Sequence, residues 1–333
     1  MTSVSEDPTG QRAPLRDLPA NIDSVQPGGG VCYRVELAWG AVRRWYLKTF
    51  RRGYVERMAG LRTGSADGAP HEILDPRDLK YCRNLCTANW DAKVDPFTWR
   101  ERIPFARWGL AELQLMSYPL VAIIIALAFT RFWWLGIAPA VVLVLIVYFF
   151  RDPPRRVPDE PGLLVSPADG KVVEITQLDH HEFVGGPAIR IGIFLSIFNV
   201  HINRAPAAVR CLGLEYKPGK YLNALKPESA RENEAVAILF EDDATPHRRY
   251  VVRQIAGAIA RRIVCATRIG EHWERGGKFG MIKLGSRTEL IIPQDESLEI
   301  ITQVGEKVKA GSSKMAKYAS TANTANETSG SGE

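Results

Sequence analysis

Three polar sites set in apolar, strand-like sequence could together perform chemistry on the chain itself. The pair Gly285-Ser286 interrupts an apolar run that extends from Lys278 to Pro293. A serine hydroxyl can attack the carbonyl carbon of the preceding residue, and β-elimination from the resulting ester leaves dehydroalanine, which hydrolyses to a pyruvoyl group and ammonia. Asp169 lies in an Asp-Gly turn, and His201 follows a long apolar run. A histidine oriented by a carboxylate could activate the serine hydroxyl. Taken one at a time, the Gly-Ser pair could be an ordinary bulge, Asp169 part of an ordinary turn, and His201 a buried core histidine.

The elements that would position these residues are short β-strands. From residue 153 onward, apolar runs of strand length are separated by Gly and Pro, with little helical periodicity between them. The clearest runs are residues 163–165, 171–175, 189–194, 235–240, 250–255 and 300–304. The pattern predicts a β-rich α+β catalytic domain, sandwich-like or barrel-like, over residues 153–316.

Two long apolar runs precede this domain and predict a membrane helical hairpin over residues 111–152. They extend from Leu115 to Phe150 and are separated by one charge, Arg131, which would lie at the tip. Each arm has roughly 16 to 19 residues, close to the ~20 that cross a hydrocarbon core as a helix. Basic clusters at 100–107 and 151–156 flank the hairpin, so the positive-inside rule places both ends in the cytoplasm. A re-entrant hairpin and a buried hairpin of a soluble protein are alternatives.

The remaining segments carry no chemistry that can be assigned. Residues 1–31 and 317–333 are polar and predict a disordered leader and tail, and residues 32–110 form a basic, partly helical region. The helical part, Leu37 to Met58, could lie on a membrane or pack on the globular domain. Lys and Arg outnumber Asp and Glu by 43 to 37, giving a net charge of +6. Because the basic clusters flank apolar sequence, they favour an anionic membrane surface over nucleic acid.

The cysteines favour a reducing compartment and no metal site. Cys82 and Cys86 have the spacing of half a metal site, but no second half-site or histidine cluster completes it. We therefore expect free thiols and no bound metal.

Four motifs occur in order along the chain. They are Tyr-Phe-Phe-Arg-Asp-Pro at 148–153, Ser-Pro-Ala-Asp-Gly-Lys-Val at 166–172, Phe-Leu-Ser with a later His and Pro at 194–206, and Phe-Gly-Met-Ile-Lys-Leu-Gly-Ser-Arg at 279–287. With these motifs the chain resembles the phosphatidylserine decarboxylase family, in its shorter bacterial membrane-bound form with an extra N-terminal region. The resemblance covers roughly residues 115 to 316.

The resemblance implies a self-cleaving proenzyme. Cleavage would fall between Gly285 and Ser286, and Ser286 would become the covalent pyruvoyl cofactor at the start of a small chain, residues 286–333, paired with a large chain, residues 1–285. Asp169 and His201 would form the base system, and His201 would return the proton after decarboxylation. Longer family members have a second histidine three positions later, where this chain has Arg204, so His201 must act alone.

The implied reaction converts phosphatidylserine to phosphatidylethanolamine through a Schiff base between the pyruvoyl carbonyl and the serine amine. Arg204 and Arg287 are candidates for binding the lipid phosphate or carboxylate. The implied location is the inner membrane, with the catalytic domain on the cytoplasmic side, and a homo-oligomer is left open.

Three other functions remain open from the sequence. A related serine-headgroup lipid of the archaetidylserine type could be the substrate. Residues 304–316 also resemble the strand-turn-strand of biotinyl or lipoyl carrier domains, with Lys314 as the modified residue, and a membrane-anchored scaffold without a pyruvoyl group is the third possibility.

Overall fold

The computed structural model describes residues 12–226, 228–258, 262–283 and 285–319. Within them, six α-helices lie mostly in the first half of the chain. They are α1 (Val31–Phe50), α2 (Arg52–Leu61), α3 (Leu79–Cys82), α4 (Leu110–Ala128), α5 (Ile137–Phe149) and α6 (Ser229–Glu232). The predicted helix at 37–58 is therefore two helices, because the backbone leaves the helical conformation at Arg51, with φ of −131°.

The second half is β-rich, as predicted. Its described strands are β1 (Leu163–Val165), β2 (Gly170–His181), β3 (Gly186–Leu195), β4 (Ile202–Arg204), β5 (Val209–Lys217), β6 (Ala235–Asp242), β7 (Arg249–Ile255), β8 (Arg262–Cys265), β9 (His272–Trp273), β10 (Lys278–Lys283), β11 (Ser286–Pro293), β12 (Leu298–Ile300), β13 (Lys307–Val308) and β14 (Lys314–Tyr318). Five of the six predicted strand runs lie in strands; in the sixth, only Ile300 does, at the end of β12.

The strands form three sheets in which all neighbours are antiparallel. The large sheet has the order β13-β2-β3-β11-β7-β6-β5-β9, and two three-stranded sheets have the orders β1-β14-β12 and β4-β10-β8. β11 lies between β3 and β7 in the middle of the large sheet, and its Leu290, Ile291 and Ile292 are buried. Each such side chain contributes roughly 1.5–3 kcal/mol when it leaves water. The chain thus changes sheets between β10 and β11, where the Gly-Ser pair lies.

The predicted helical hairpin is present, as α4 and α5 joined by residues 129–136. One continuous helical segment, Arg107–Ala128, is long and apolar enough to cross a membrane, and the second, Trp133–Phe149, is shorter. Most of the apolar side chains of the hairpin face outward: Ile125 of α4 is 53% exposed and Val144 of α5 is 66% exposed. A buried core hairpin would not leave these side chains exposed, so this alternative is wrong.

The leader differs in part from the prediction. Residues 1–11 and 320–333 lie outside the described residues, but residues 12–30 pack on the folded domain. Ile22 and Val25 are buried, and the Arg16 amide donates to the carbonyl of Leu212 at 2.8 Å. A polar sequence with two well-placed apolar residues can thus be ordered by the surface that it covers.

The carrier-like segment is not a hairpin. β13 pairs with β2 in the large sheet, whereas β14 pairs with β1 and β12 in a small sheet. Lys314 begins β14 and forms an ion pair with Glu160, so it does not lie at the tip of a hairpin where a carrier lysine would be modified.

Candidate active site

The Gly-Ser pair lies where the chain passes from one sheet to another. Gly285 has φ of 66°, a left-handed conformation that favours glycine. Ser286 begins β11 opposite Leu195 of β3 and is completely buried. Its hydroxyl oxygen has no hydrogen-bond partner among the described residues. A buried hydroxyl without a partner costs about 1–3 kcal/mol, so stability is sacrificed at this position, and a reaction of the hydroxyl would account for that cost.

The carbonyl that the hydroxyl would attack packs against a second glycine. A Cβ atom on Gly257 would lie 2.2 Å from the carbonyl oxygen of Gly285 and 3.1 Å from its carbonyl carbon. Only hydrogen fits between these two backbone segments. Gly257 therefore allows the close approach of the Gly285 carbonyl.

His201 contacts this turn directly. The backbone pairing of β4 with β10 places it there, because the amide of Ile282 donates to the carbonyl of His201 at 3.0 Å. Its Nε2 accepts a hydrogen bond from the amide of Gly285 at 3.1 Å, and its Nδ1 lies 2.9 Å from the carbonyl oxygen of Asn199. Since a carbonyl can only accept, Nδ1 carries the proton and Nε2 presents its lone pair to the turn.

The surroundings of His201 keep it uncharged. Burial lowers the pKa of His201 to about 4, outweighing the hydrogen bond to Asn199, and the charge of Arg151 lowers it further. The ring of Phe149, at the end of α5, lies against the imidazole with 4.5 Å between ring centroids. The imidazole is therefore neutral near neutral pH, and its one acceptor lone pair, on Nε2, is occupied by the amide of Gly285.

Asp169 does not orient this histidine in the structure. Its carboxylate forms an ion pair with Arg155 at 2.8 Å and accepts a hydrogen bond from the amide of Ala310, also at 2.8 Å. No hydrogen bond between Asp169 and His201 is found among the described residues, and the backbone of Asn199 orients the imidazole instead. His201 and the Gly-Ser pair are thus brought together, whereas the role of Asp169 in the base system stays a prediction.

The two arginines predicted to bind substrate are buried and already paired. Arg204 forms an ion pair with Asp152 at 3.2 Å and donates to the carbonyl of Gly276 at 3.0 Å. Burial lowers the pKa of Arg204, against the opposing effect of Asp152. Their assignment to substrate stays a prediction.

Arg287 is engaged by two carboxylates. It contacts Glu289 at 3.0 Å and also pairs with Glu174. Burial alone would raise the pKa of Glu174, but hydrogen bonds from Thr176, Arg287 and Arg190 lower it to about 2. These pairs stabilise the start of β11, immediately after the Gly-Ser pair.

Several residues of the site were not predicted from the sequence. Gly257, Asn199 and the contact of Phe149 with His201 depend on packing between distant segments. A buried ion pair between Lys283 of β10 and Glu112 of α4 also joins the chain just before the turn to the hairpin. Of these contacts, only that of Phe149 had a signal in the sequence, because the Tyr-Phe-Phe-Arg motif at 148–151 places aromatic residues at the end of the hairpin.

The two cysteines with the spacing of half a metal site are not disulfide-bonded. Cys82 and Cys86 are free and buried, and burial raises the pKa of Cys82 to about 12. Across the parts of the chain that the structure describes, no cluster of three or more His, Cys, Asp or Glu could hold a metal ion.

Comparison with known proteins gives one consistent result. The family model described as phosphatidylserine decarboxylase matches residues 142–316. A phosphatidylserine decarboxylase proenzyme of Rhodopirellula baltica is 51% identical over 241 residues, which cover 72% of this chain and 99% of the relative. A protein of the same name from Syntrophus aciditrophicus is 38% identical over 227 residues, covering 68% of this chain and all of the relative. The chain belongs to the phosphatidylserine decarboxylase family.

Proposed function

We propose that this protein is a self-processing, pyruvoyl-dependent decarboxylase that converts phosphatidylserine to phosphatidylethanolamine. The observation that carries the proposal is the contact of neutral His201 with Gly285, beside the buried, unpartnered hydroxyl of Ser286. Relatives named phosphatidylserine decarboxylase proenzyme, of which this chain covers almost the whole length, support it. The word proenzyme fits a chain that must be cleaved before it acts.

The proposed cleavage uses groups of the chain alone. Nε2 of His201 must first release the amide of Gly285. The Ser286 hydroxyl then gives up its proton to Nε2 as its oxygen attacks the carbonyl carbon of Gly285. The C–N bond then breaks, the amine takes a proton, and an ester joins the two segments. Loss of the Ser286 α-proton expels the Gly285 carboxylate and leaves dehydroalanine, whose imine tautomer takes up water and releases ammonia. The products are residues 1–285 and residues 286–333 with a pyruvoyl terminus.

The residues fit the demands of this sequence of steps. Gly285 adopts a left-handed conformation, Gly257 leaves room for the Gly285 carbonyl, and the imidazole of His201 is uncharged. The pyruvoyl group would supply an electron-accepting carbonyl next to the substrate amine. His201, which contacts the neighbouring Gly285, would then return a proton to the substrate carbon.

The hairpin would hold this site at the bilayer surface. Phe149 ends α5 and touches His201, so the membrane segment ends at the reacting groups. Ile197 and Phe198, in the loop before His201, are 43% and 57% exposed, and Arg151 at the hairpin end donates to the carbonyl of Phe198 at 2.8 Å. We place this loop in the interfacial layer of the inner membrane on its cytoplasmic side, where phospholipid headgroups lie.

The arginines retain a proposed role in binding the lipid headgroup. Because Arg204 and Arg287 are ion-paired, they would reach a phosphate or carboxylate only by exchanging one partner for the substrate. Such a role predicts a higher KM with unchanged self-cleavage for Arg204→Gln. Slower self-cleavage with an unchanged KM would instead assign Arg204 to positioning the strands.

The activity is tested by following the lipid product. The purified parent should release carbon dioxide from carboxyl-labelled phosphatidylserine in detergent micelles and form phosphatidylethanolamine. Ser286→Ala and His201→Ala should form none. An active Ser286→Ala protein, or a parent that processes itself yet leaves phosphatidylserine unchanged, would refute the assignment; in the second case, archaetidylserine is the substrate to test next.

A further inference from the structure

A cavity of about 480 Å³ lies between α1 and α4, apart from the cleavage turn. One part of its wall comes from the basic N-terminal region and contains five cationic side chains: Arg43, Arg44, Arg77, Lys80 and Arg100. The wall also contains apolar and aromatic side chains, among them Leu115 and Tyr118 from α4 and Trp39 from α1. None of the residues that form the Gly-Ser turn lines it. The cavity thus joins a cationic surface to the membrane hairpin.

Four of the five cations have carboxylate partners. Arg43 pairs with Asp75 and Asp78, Arg44 pairs with Asp78, Arg77 pairs with Asp75, and Lys80 pairs with Glu36. Three carboxylates therefore serve four cations. This already leaves one positive charge that a bound anion could balance.

The fifth cation, Arg100, has no carboxylate within ion-pair distance among the described residues. Its guanidinium stacks on the rings of Phe97 and Trp99, at 4.8 Å and 5.8 Å from their centroids. Burial lowers the pKa of Arg100, and the charges of Arg107 and Arg77 lower it further. A half-buried guanidinium among other cations is stabilised by an anion, and its planar donors suit two oxygens of a phosphate.

The apolar wall decides what kind of anion fits. Tyr118 is 66% exposed, Trp39 is 68% exposed and Leu115 is 48% exposed, so the wall continues onto the outward-facing surface of the hairpin. Aromatic and basic residues at the end of a membrane helix lie at the level of the headgroups. A ligand that fills the cavity can therefore place a phosphate at Arg100 and extend hydrocarbon along α4.

We propose that this cavity binds the headgroup of an anionic membrane phospholipid, with its phosphate at Arg100. The site is separate from the reacting groups and does not require self-cleavage. It would give the N-terminal region a function in holding the protein on anionic membranes.

The test measures binding without turnover, in the full-length Ser286→Ala protein. Purified protein in non-ionic detergent would be titrated with radiolabelled phosphatidylglycerol or phosphatidylcholine, and retained lipid would be counted after the protein is captured. We expect phosphatidylglycerol to bind at least tenfold more tightly than phosphatidylcholine. Equal binding of the two lipids would overturn the proposal.

Charge-matched variants locate the site. Arg100→Gln should weaken phosphatidylglycerol binding about tenfold, or roughly 1.4 kcal/mol, whereas Arg51→Gln, which removes an exposed charge at the end of α1 outside the cavity, should leave it unchanged. Arg44→Gln is a second cavity variant if Arg100→Gln fails to fold. Equal effects of the cavity and control variants would contradict the assignment.

A third arm separates a lipid from a soluble phosphate. Inorganic phosphate and glycerol phosphate, at millimolar concentration and constant ionic strength, should not displace labelled phosphatidylglycerol. Displacement by either would mean that the site takes a soluble phosphate ester and would overturn the lipid assignment. Because no arm depends on decarboxylation, the result is independent of whether the proposed enzyme function holds.

Discussion

Gly257→Ala should block or strongly slow the cleavage at Ser286. The new Cβ would lie 2.2 Å from the Gly285 carbonyl oxygen and 3.1 Å from its carbon, and real Cβ atoms essentially never approach closer than 3.0 Å. The atoms that it meets are backbone, so the scissile carbonyl itself must move. Gly257 does not have a positive φ, so alanine imposes no conformational strain of its own there. The effect therefore comes from the contact.

The expected magnitude follows from that displacement. A reacting atom misplaced by about 1 Å loses on the order of 100-fold in rate. We would synthesise parent and variant chains in a cell-free system with nanodiscs and follow the appearance of the two fragments on denaturing gels. Gly186→Ala is the matched control, because a Cβ there meets nothing within 4 Å and φ is not positive.

Two outcomes would be decisive. Slow cleavage of Gly257→Ala with normal cleavage of Gly186→Ala would support the assigned position of the carbonyl. If Gly257→Ala is cleaved at the parent's rate, the carbonyl of Gly285 does not react in the conformation described, and Gly257 does not set its position.

Three further predictions follow from the same site. Phe149→Ala should remove the ring that packs on His201, lower the stability by about 3–5 kcal/mol and slow cleavage. Phe149→Leu, which retains most of the apolar volume, should lose less stability and slow cleavage less. Equal cleavage rates in the parent and both variants would exclude a positioning role for Phe149. Because the pKa of His201 falls from 6.5 to about 4 on folding, the unfolded state binds the proton first as pH falls, so stability should drop by about 3 kcal/mol between pH 6.5 and 4. Chemical unfolding of Ser286→Ala with and without His201→Gln should show this difference, and parallel pH profiles would contradict it. Glu112→Gln should destabilise the fold by about 3–5 kcal/mol, because it leaves the ammonium of Lys283 buried without its partner. In thermal unfolding, adding Lys283→Met should restore the lost stability. A Glu112→Gln protein as stable as the parent would show that the ion pair is dispensable.

The sequence was most informative where local pattern decides structure. The strands on both sides of Gly285-Ser286 were predicted because their apolar residues and the closing Pro293 are local signals. The hairpin was predicted for the same reason, since two long apolar runs with a single charge between them are typical of two helices joined by a short turn. The helix break at Arg51 was not predicted, although Gly53, a poor helix former, lies two residues after it.

The arrangement of the site depended on contacts that no local pattern encodes. Asp169 was expected beside His201, but Arg155, fourteen residues earlier, takes its carboxylate. Arg204 and Arg287 looked available for a ligand, yet both are buried and paired, Arg204 with Asp152 and Arg287 with Glu174, carboxylates from distant parts of the chain. Glycine at 257 has no signal in the sequence, since its importance lies in the approach of another backbone.

The central claim is that Ser286 cuts the chain, and the intact masses of the purified parent and of Ser286→Ala under denaturing conditions test it most directly. The account predicts two chains for the parent, residues 1–285 and residues 286–333, with the smaller one carrying a pyruvoyl terminus in place of serine. It predicts a single uncut chain for Ser286→Ala. A parent that remains one chain of 37.1 kDa, or a Ser286→Ala protein cleaved at the same bond, would contradict the account.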